Sequence, residues 1–482
     1  MIQRTFLLLA SVLCLSTVCA QNSTQLSNVV HAVQNEPSLT HASLSVSVYN
    51  ITQGKQVYNY DAHRSLTPAS LTKIFTTSVA FNLLGDSFRF KTVLSYSGTI
   101  DNAGTLHGNL YIIGGGDPML GSFRYRQTCP DSIFALWYRA IKNIGIKKID
   151  GRICYDATIF DNQLLHDTWQ WGDVGNYYGC GASGLNFHEN LFFVYFNPGK
   201  RQGYLADVDS YVPANIDVRV QNEVTTGPVG SGDRVIVYGD PTSPLRVCRG
   251  TVPLGQPHFA VRGALPNPPE ACARLFSLYL RKHQVSIANS PTEVFSRQDT
   301  LTPIVEYNSN TFYEIAQYTN FTSNNIYAES IFKYLGYMNN GKGSYANGAK
   351  AVKDFFKKQG LESSGVHIVD GSGLSRSNRV TADFLCRYLT AVSKMPIYND
   401  FSMTLGKVGE SGTVRNLLPD LPKGVTMRMK SGNMDGVCGY AGYVTTASGD
   451  LLCFAAICNE FDCTGSQMKS KMTKILYEIG KL

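Results

Sequence analysis

Residues 67–85 read TPASLTKIFTTSVAFNLLG. A proline stands two positions before Ser70, a lysine stands three positions after it, and an apolar run follows. On a helix, residues i and i+3 share a face, with Cβ atoms about 5–6 Å apart. Lys73 is thus spaced to take the proton of Ser70 once burial or a neighbouring cation suppresses its own charge. A serine at the start of a helix also meets unpaired N–H groups and the positive end of the helix dipole, which stabilise developing negative charge. Leu71, Ile74, Phe75, Val79, Phe81 and Leu84 are spaced to be largely buried. The pattern S-x-x-K is weak alone, since a chain of 482 residues carries about two by chance. Ser466 and Lys469 form such a decoy in an ordinary polar segment.

Two further segments carry matching chemistry. TSNNIYAES holds Ser323 and Asn325 as S-x-N. A serine hydroxyl relays protons, and an asparagine amide bonds both a lysine and a substrate amide. RMKSGNMDG holds Lys430, Ser431 and Gly432. Lys430 and Ser431 supply a charge and a hydroxyl suited to a carboxylate, and Gly432 permits close approach to the backbone. On an unbent strand Lys430 and Gly432 point one way and Ser431 the other. Taken singly, the first segment reads equally as a polar loop and the second as a strand edge blunted by lysine.

The rest of the chain sets the frame. Residues 1–20 follow the layout of a secretory signal: Arg4, an apolar run from Phe6 to Leu15, then small Val18 and Ala20. Cleavage there leaves 482 − 20 = 462 residues beginning at Gln21, enough for roughly three domains. The apolar run is short for a transmembrane anchor. Charge is 43 − 36 = +7 and diffuse. With no basic run or aromatic-basic stripe, nucleic acid is not expected as a partner. An exported chain tolerates disulfides among the ten cysteines beyond residue 20. Cys458 lies near Cys463, and Cys438 and Cys453 fall in neighbouring strand-like segments, but the pairing stays open. No C-x-x-C or H-E-x-x-H occurs, and His188-Glu189 reads as polarity, so neither metal nor cofactor is expected. Asn22, Asn50 and Asn320 open N-x-[ST] triplets.

SLSVSVY (43–49) and QVYNY (56–60) form a predicted hairpin. From about 88 to 300 the texture turns β-rich, with helix-like segments at 132–145 and 271–284. Helical texture returns at 312–337 and 346–359, Thr381 is a predicted N-cap, and strands CGYAGYV and LLCFAAIC precede a last helix. Met468, Met472, Ile475, Leu476 and Ile479 share one face of that helix as core. Helix and sheet at both chain ends flank a β-rich middle, which reads as an insertion.

In order, S-x-x-K, S-x-N and K-[ST]-G form the motif set of the penicillin-recognising serine enzymes. GGGDPML (114–120), VDGSGLSRSNR (369–379) and the separation 323 − 73 = 250 between the first two motifs sharpen the match. The chain resembles the class C low-molecular-mass penicillin-binding proteins, the DacB-like D-Ala-D-Ala carboxypeptidase/endopeptidases. The resemblance implies an α+β fold: a β-lactamase-like transpeptidase domain, an antiparallel sheet flanked by helices, split by a large β-rich insertion. The implied domains are 21–88 with 301–482, 89–190 with 256–300, and 191–255. Implied too are Ser70 as nucleophile, Lys73 as base, Ser323 as proton relay, and Asn325 on the substrate amide. Lys430 and Ser431 would bind the terminal carboxylate with Gly432 beside them in the substrate site, and the N–H groups of Ser70 and Asn433 would receive the oxyanion. The implied partners are peptidoglycan peptides ending in D-Ala-D-Ala and β-lactams, and the implied location is outside the cytoplasm, in a periplasm. Two departures stand out: serine at 431 where many relatives have threonine, and Asn433 where small or hydroxyl residues are usual. A serine β-lactamase or a β-lactam-binding sensor would share the three motifs. No E-x-x-x-N pattern, the class A deacylation element, lies between the second and third.

Overall fold

The computed structural model describes residues 23–294 and 300–482, so the expected targeting segment at 1–20 lies outside the described residues. The chain forms two compact units. One takes the chain up to Gly85, Ala316–Ser323 and Val352–Leu482, and the other takes Asp86–Ile315 and Asn324–Ala351.

The first unit is built on a six-stranded antiparallel sheet. Its strands are β1 (Ser43–Asn50), β2 (Lys55–Tyr60), β3 (Gly406–Lys407), β4 (Thr426–Met434), β5 (Val437–Thr445) and β6 (Leu451–Asn459), in the order β3-β4-β5-β6-β1-β2. The predicted hairpin is β1-β2. Alternation in β1 sends Leu44, Val46 and Val48 to one face, where they join Phe454, Ala456 and Cys458 of β6. Leu26, Val30 and Val33 of a helix over residues 23–34 close this core. So do Met468, Met472, Ile475, Leu476 and Ile479 of the terminal helix Gly465–Ile479. The stripe predicted for that helix is entirely buried. LLCFAAIC is apolar throughout because β6 is covered on both faces.

Helix Ala382–Val392 packs on β1 and β6. The Thr381 side chain accepts from the Phe384 N–H at 3.0 Å, the predicted cap. Between this helix and helix Tyr345–Lys358 lies helix Lys73–Leu84, which continues the opening stretch. The Phe75 ring meets Tyr388 at 4.8 Å, Phe356 at 5.2 Å and Phe384 at 6.0 Å, all in near-perpendicular or tilted contact.

The predicted helical texture at 312–337 is two helices, Phe312–Thr322 and Asn325–Asn340, broken at Ser323, whose φ is +57°. The domain boundary also moves. Residues 302–308 form a strand paired with Lys91–Tyr96, so residues 301–315 go with the inserted material. Residues 324–351 go there too, held by Lys333, which is wholly buried and donates to Asp161 at 2.9 Å.

In the second unit one core gathers around Leu94, Trp137 and Phe276, and another around Phe192, Val237 and Val261. Strand Phe259–Ala264 pairs with Leu191–Asn197, so residues 256–264 belong with the stretch before them and not after a break at 255. GGGDPML lies here, with burial pushing the Asp117 carboxyl up to about 7.

Asn50 and Asn320 are buried and hydrogen-bonded, to Asp450 and to Thr77 and Thr404, which removes both as acceptor sites on the folded surface. The ten cysteines among the described residues carry free thiols. Cys438 stands opposite Cys458 in the β5-β6 ladder, whereas the Cys453 Sγ lies 3.3 Å from the Cys386 carbonyl. No helix of the described residues is long and apolar enough to cross a membrane.

Phe75→Ala should open a cavity among these rings and cost the first unit about 3–5 kcal/mol. Hydrogen exchange of helices Lys73–Leu84 and Ala382–Val392 would read this as accelerated opening, with exchange in the second unit's cores left as before.

Candidate active site

Ser70 sits in a 3₁₀ turn, Ala69–Thr72, which runs directly into the helix that begins at Lys73. The serine thus precedes the α-helix by one tight turn, and is not within it. Ala69 holds φ +46°, a left-handed conformation that costs an alanine about 1–3 kcal/mol. Three contacts pin the turn there. Thr72 Oγ1 donates to the Ala69 carbonyl at 3.0 Å. Gly373, at φ +83°, lies so close that a Cβ would stand 1.9 Å from the same carbonyl oxygen. Gly432 of β4 lies so close that a Cβ would stand 2.5 Å from the Pro68 carbonyl oxygen. The glycine of K-S-G is therefore a packing requirement of the nucleophile turn.

Lys73 is 0% exposed. Its Nζ donates to Ser70 Oγ at 2.9 Å and to the Ser372 carbonyl at 2.8 Å. Ser372 lies in VDGSGLSRSNR, and Asp370 folds that loop. The Asp370 carboxylate accepts from Gly373 N at 2.8 Å, Ser375 N at 2.7 Å and Asn378 Nδ2 at 2.8 Å. Thr76 Oγ1 ties the loop to the helix through the Gly371 carbonyl at 2.7 Å. The motif contributes a backbone carbonyl, which residue types alone do not reveal; its aspartate among glycines was the available signal.

Lys430 is 1% exposed and donates to Ser323 Oγ at 2.9 Å and to the Ser431 carbonyl at 2.7 Å. Burial, and then the charge of Lys73, hold its ammonium well below the ordinary lysine value. Ser323 faces it from the left-handed break after helix Phe312–Thr322. Ser431 Oγ shares a 2.7 Å hydrogen bond with Thr413 Oγ1, a partner absent from the sequence reading. Asn433 is exposed and stands opposite Cys438 in the ladder. Ser70, Lys73, Ser323, Lys430, Ser431, Gly432 and Asn433 all belong to the first unit, whereas Asn325 opens a helix of the second, its Nδ2 donating to the Tyr178 carbonyl at 2.7 Å.

The arrangement offers an activated hydroxyl, a buried amine beside it, a second hydroxyl and a second ammonium. Among the described residues no cluster of three acidic, histidine or cysteine side chains is placed to hold a metal. A family model described as D-Ala-D-Ala carboxypeptidase 3 (S13) matches residues 25–479. The chain belongs to this family. Its S13 relatives include the D-alanyl-D-alanine carboxypeptidase of Actinomadura sp. (strain R39), 25% identical over 442 residues, covering 89% of this chain and 80% of that one. The carboxypeptidase DacB of Haemophilus influenzae is 25% identical over 438 residues, covering 89% and 87%. The crystal structure of penicillin-binding protein 4 (dacB) from H. influenzae matches with TM-score 0.79 at 24% identity, covering 95% of this chain and 99% of that chain. The S13 chain thus has the α+β fold of the penicillin-binding proteins, and it is a serine-type carboxypeptidase, a hydrolase acting on peptidoglycan.

Gly373→Ala forces the Ala69 carbonyl to move and shifts Ser70 from its base. A displacement of about 1 Å at a reacting group costs on the order of 100-fold in rate, so acylation by benzylpenicillin, followed by intact mass, should slow by about that factor while the circular dichroism spectrum is retained.

Proposed function

We propose that this chain cleaves the terminal D-Ala-D-Ala bond of peptidoglycan stem peptides, and the D-Ala to diaminopimelate cross-link, through an acyl-enzyme on Ser70. The observation that carries the reading is the 2.9 Å contact between Ser70 Oγ and a lysine with no exposed surface. Two ammonium groups in one desolvated site repel, which favours loss of one proton. Lys73, in its unprotonated form, accepts the Ser70 proton along that same line as Oγ attacks the penultimate D-Ala carbonyl. The proton passes through Ser323 Oγ to the leaving amine nitrogen, with the nearby Lys430 ammonium stabilising the hydroxyl as it turns over. Lys430 and Ser431 bind the terminal carboxylate, while Gly432 keeps β4 close against the nucleophile turn. The N–H groups of Ser70 and Asn433 receive the oxyanion, such donors contributing about 3 kcal/mol each. Water then attacks the ester, its proton returning through Lys73, and frees the shortened peptide.

β-Lactams present the same acyl and carboxylate groups and acylate Ser70. The H. influenzae structure complexed with a β-lactam, TM-score 0.77, supports this by likeness of fold. The signal-like residues 1–20 support export, and a periplasm is where such substrates lie.

Ser70→Ala should release no D-Ala above background from a peptide ending in D-Ala-D-Ala, in a chromatographic assay where wild type does. Unchanged release by the variant would end the acyl-enzyme reading. Lys430 supplies a second check. Its proton leaves at a lower pH than that of a free lysine, and only the charged form attracts the substrate carboxylate. The kcat/KM for an acid-ended peptide should therefore fall as pH rises through that lowered value. In Lys430→Gln the fall should be absent, on a baseline lower by about 10–100-fold.

A further inference from the structure

Serine at 431 raises a physical question. Threonine restricts its own hydroxyl, because a branched Cβ leaves few χ1 wells, whereas a serine hydroxyl is free to turn among three. A hydroxyl that must donate to a carboxylate has one proton, so any neighbour that fixes it must donate to its oxygen and not accept from it.

Thr413 is placed to do this. Its Oγ1 lies 2.7 Å from Ser431 Oγ, with Ser431 buried and Thr413 at the exposed rim. The 3₁₀ turn that carries it, Gly412–Val414, is firmly held. Val414 is fully buried below it. Ser411 Oγ accepts from Lys407 N at 3.0 Å, fixing the turn to β3. Gly412, at φ +66°, is packed so that a Cβ would stand 3.2 Å from Gly406 Cα and 3.3 Å from the backbone of Phe321. Phe321 is two residues before Ser323, so one rigid turn registers against both the second and third motifs.

We propose that Thr413 is a positioning residue that orients the Ser431 hydroxyl toward the substrate's terminal carboxylate, supplying from outside the restraint a threonine at 431 would carry itself. The proposal rests on the reading that Ser431 binds that carboxylate. Thr413 donates to Ser431 Oγ, and the Ser431 proton is left for the ligand.

The test compares a D-Ala-D-Ala peptide as the free acid and as its C-terminal amide, in the full chain. Thr413→Val keeps the shape and removes the hydroxyl. It should raise KM for the acid about 5–10-fold, the effect of one lost hydrogen bond, with kcat within twofold and the amide affected no more than twofold. Thr413→Ser should recover most of the acid KM. In a Ser431→Thr background, Thr413→Val should cost less than about twofold, because the restraint is then internal. Equal losses on acid and amide, or the same loss in the Ser431→Thr background, would overturn the proposal while leaving carboxylate binding intact. A wild-type enzyme with no preference for acid over amide would instead remove the carboxylate reading, and this proposal with it. Thermal midpoints of the variants separate loss of fold from these outcomes.

Discussion

A lysine side chain with no exposed surface, bonded to the Ser70 hydroxyl and to a backbone carbonyl, is the constraint on which the first unit is organised. Removing an ion of this kind from water costs several kcal/mol even after the protein relaxes. Lys73 recovers part of that through Ser70 Oγ and the Ser372 carbonyl. Packing fixes these two partners in place: the Phe75 ring cluster beneath the helix, the Asp370-centred loop beside it, and β4 against the preceding turn. A second buried lysine, Lys430, follows from the same economy of space. Lys430 shares the dry site and bonds Ser323, so each motif is anchored by a polar group from another part of the chain.

Glycine does the steric part of this work. Gly373 and Gly432 meet the carbonyl oxygens of Ala69 and Pro68 at distances no side chain would allow. The strained φ at Ala69 persists because these neighbours leave the turn no other place. Such strain beside a nucleophile holds its hydroxyl in a fixed direction before substrate arrives, which lowers the reorganisation needed at the moment of attack.

Much of this was legible in the residues, for stated reasons. The hairpin of β1 and β2, the double-sided apolarity of β6 and the methionine stripe of the last helix are period-2 and period-3.6 signals, and the structure has all three. The closeness of Ser70 and Lys73 was legible because residues three apart share a face of a helical turn, although the turn is 3₁₀ and lies before the α-helix. The break at Ser323 was not, since FYEIAQYTNFTSNNIYAES carries no glycine or proline to mark it. The Ser372 carbonyl escaped because backbone ligands leave no trace in side-chain type. Thr413 escaped because a hydroxyl 18 residues from its partner becomes a neighbour only through the β3-β4 pairing. The boundary near 301 was misplaced because strand Thr302–Asn308 pairs with Lys91–Tyr96, a contact more than 200 residues apart in the chain.

The central claim is that Ser70, activated by Lys73, is the acylated residue. Its most direct test is to incubate the protein with benzylpenicillin, digest it, and locate the adduct by peptide mass spectrometry in wild type and Lys73→Ala. The account predicts one penicilloyl group on the peptide that contains Ser70 in wild type, and none in Lys73→Ala over the same interval. An adduct on any other serine, or undiminished acylation of Ser70 without Lys73, would contradict it.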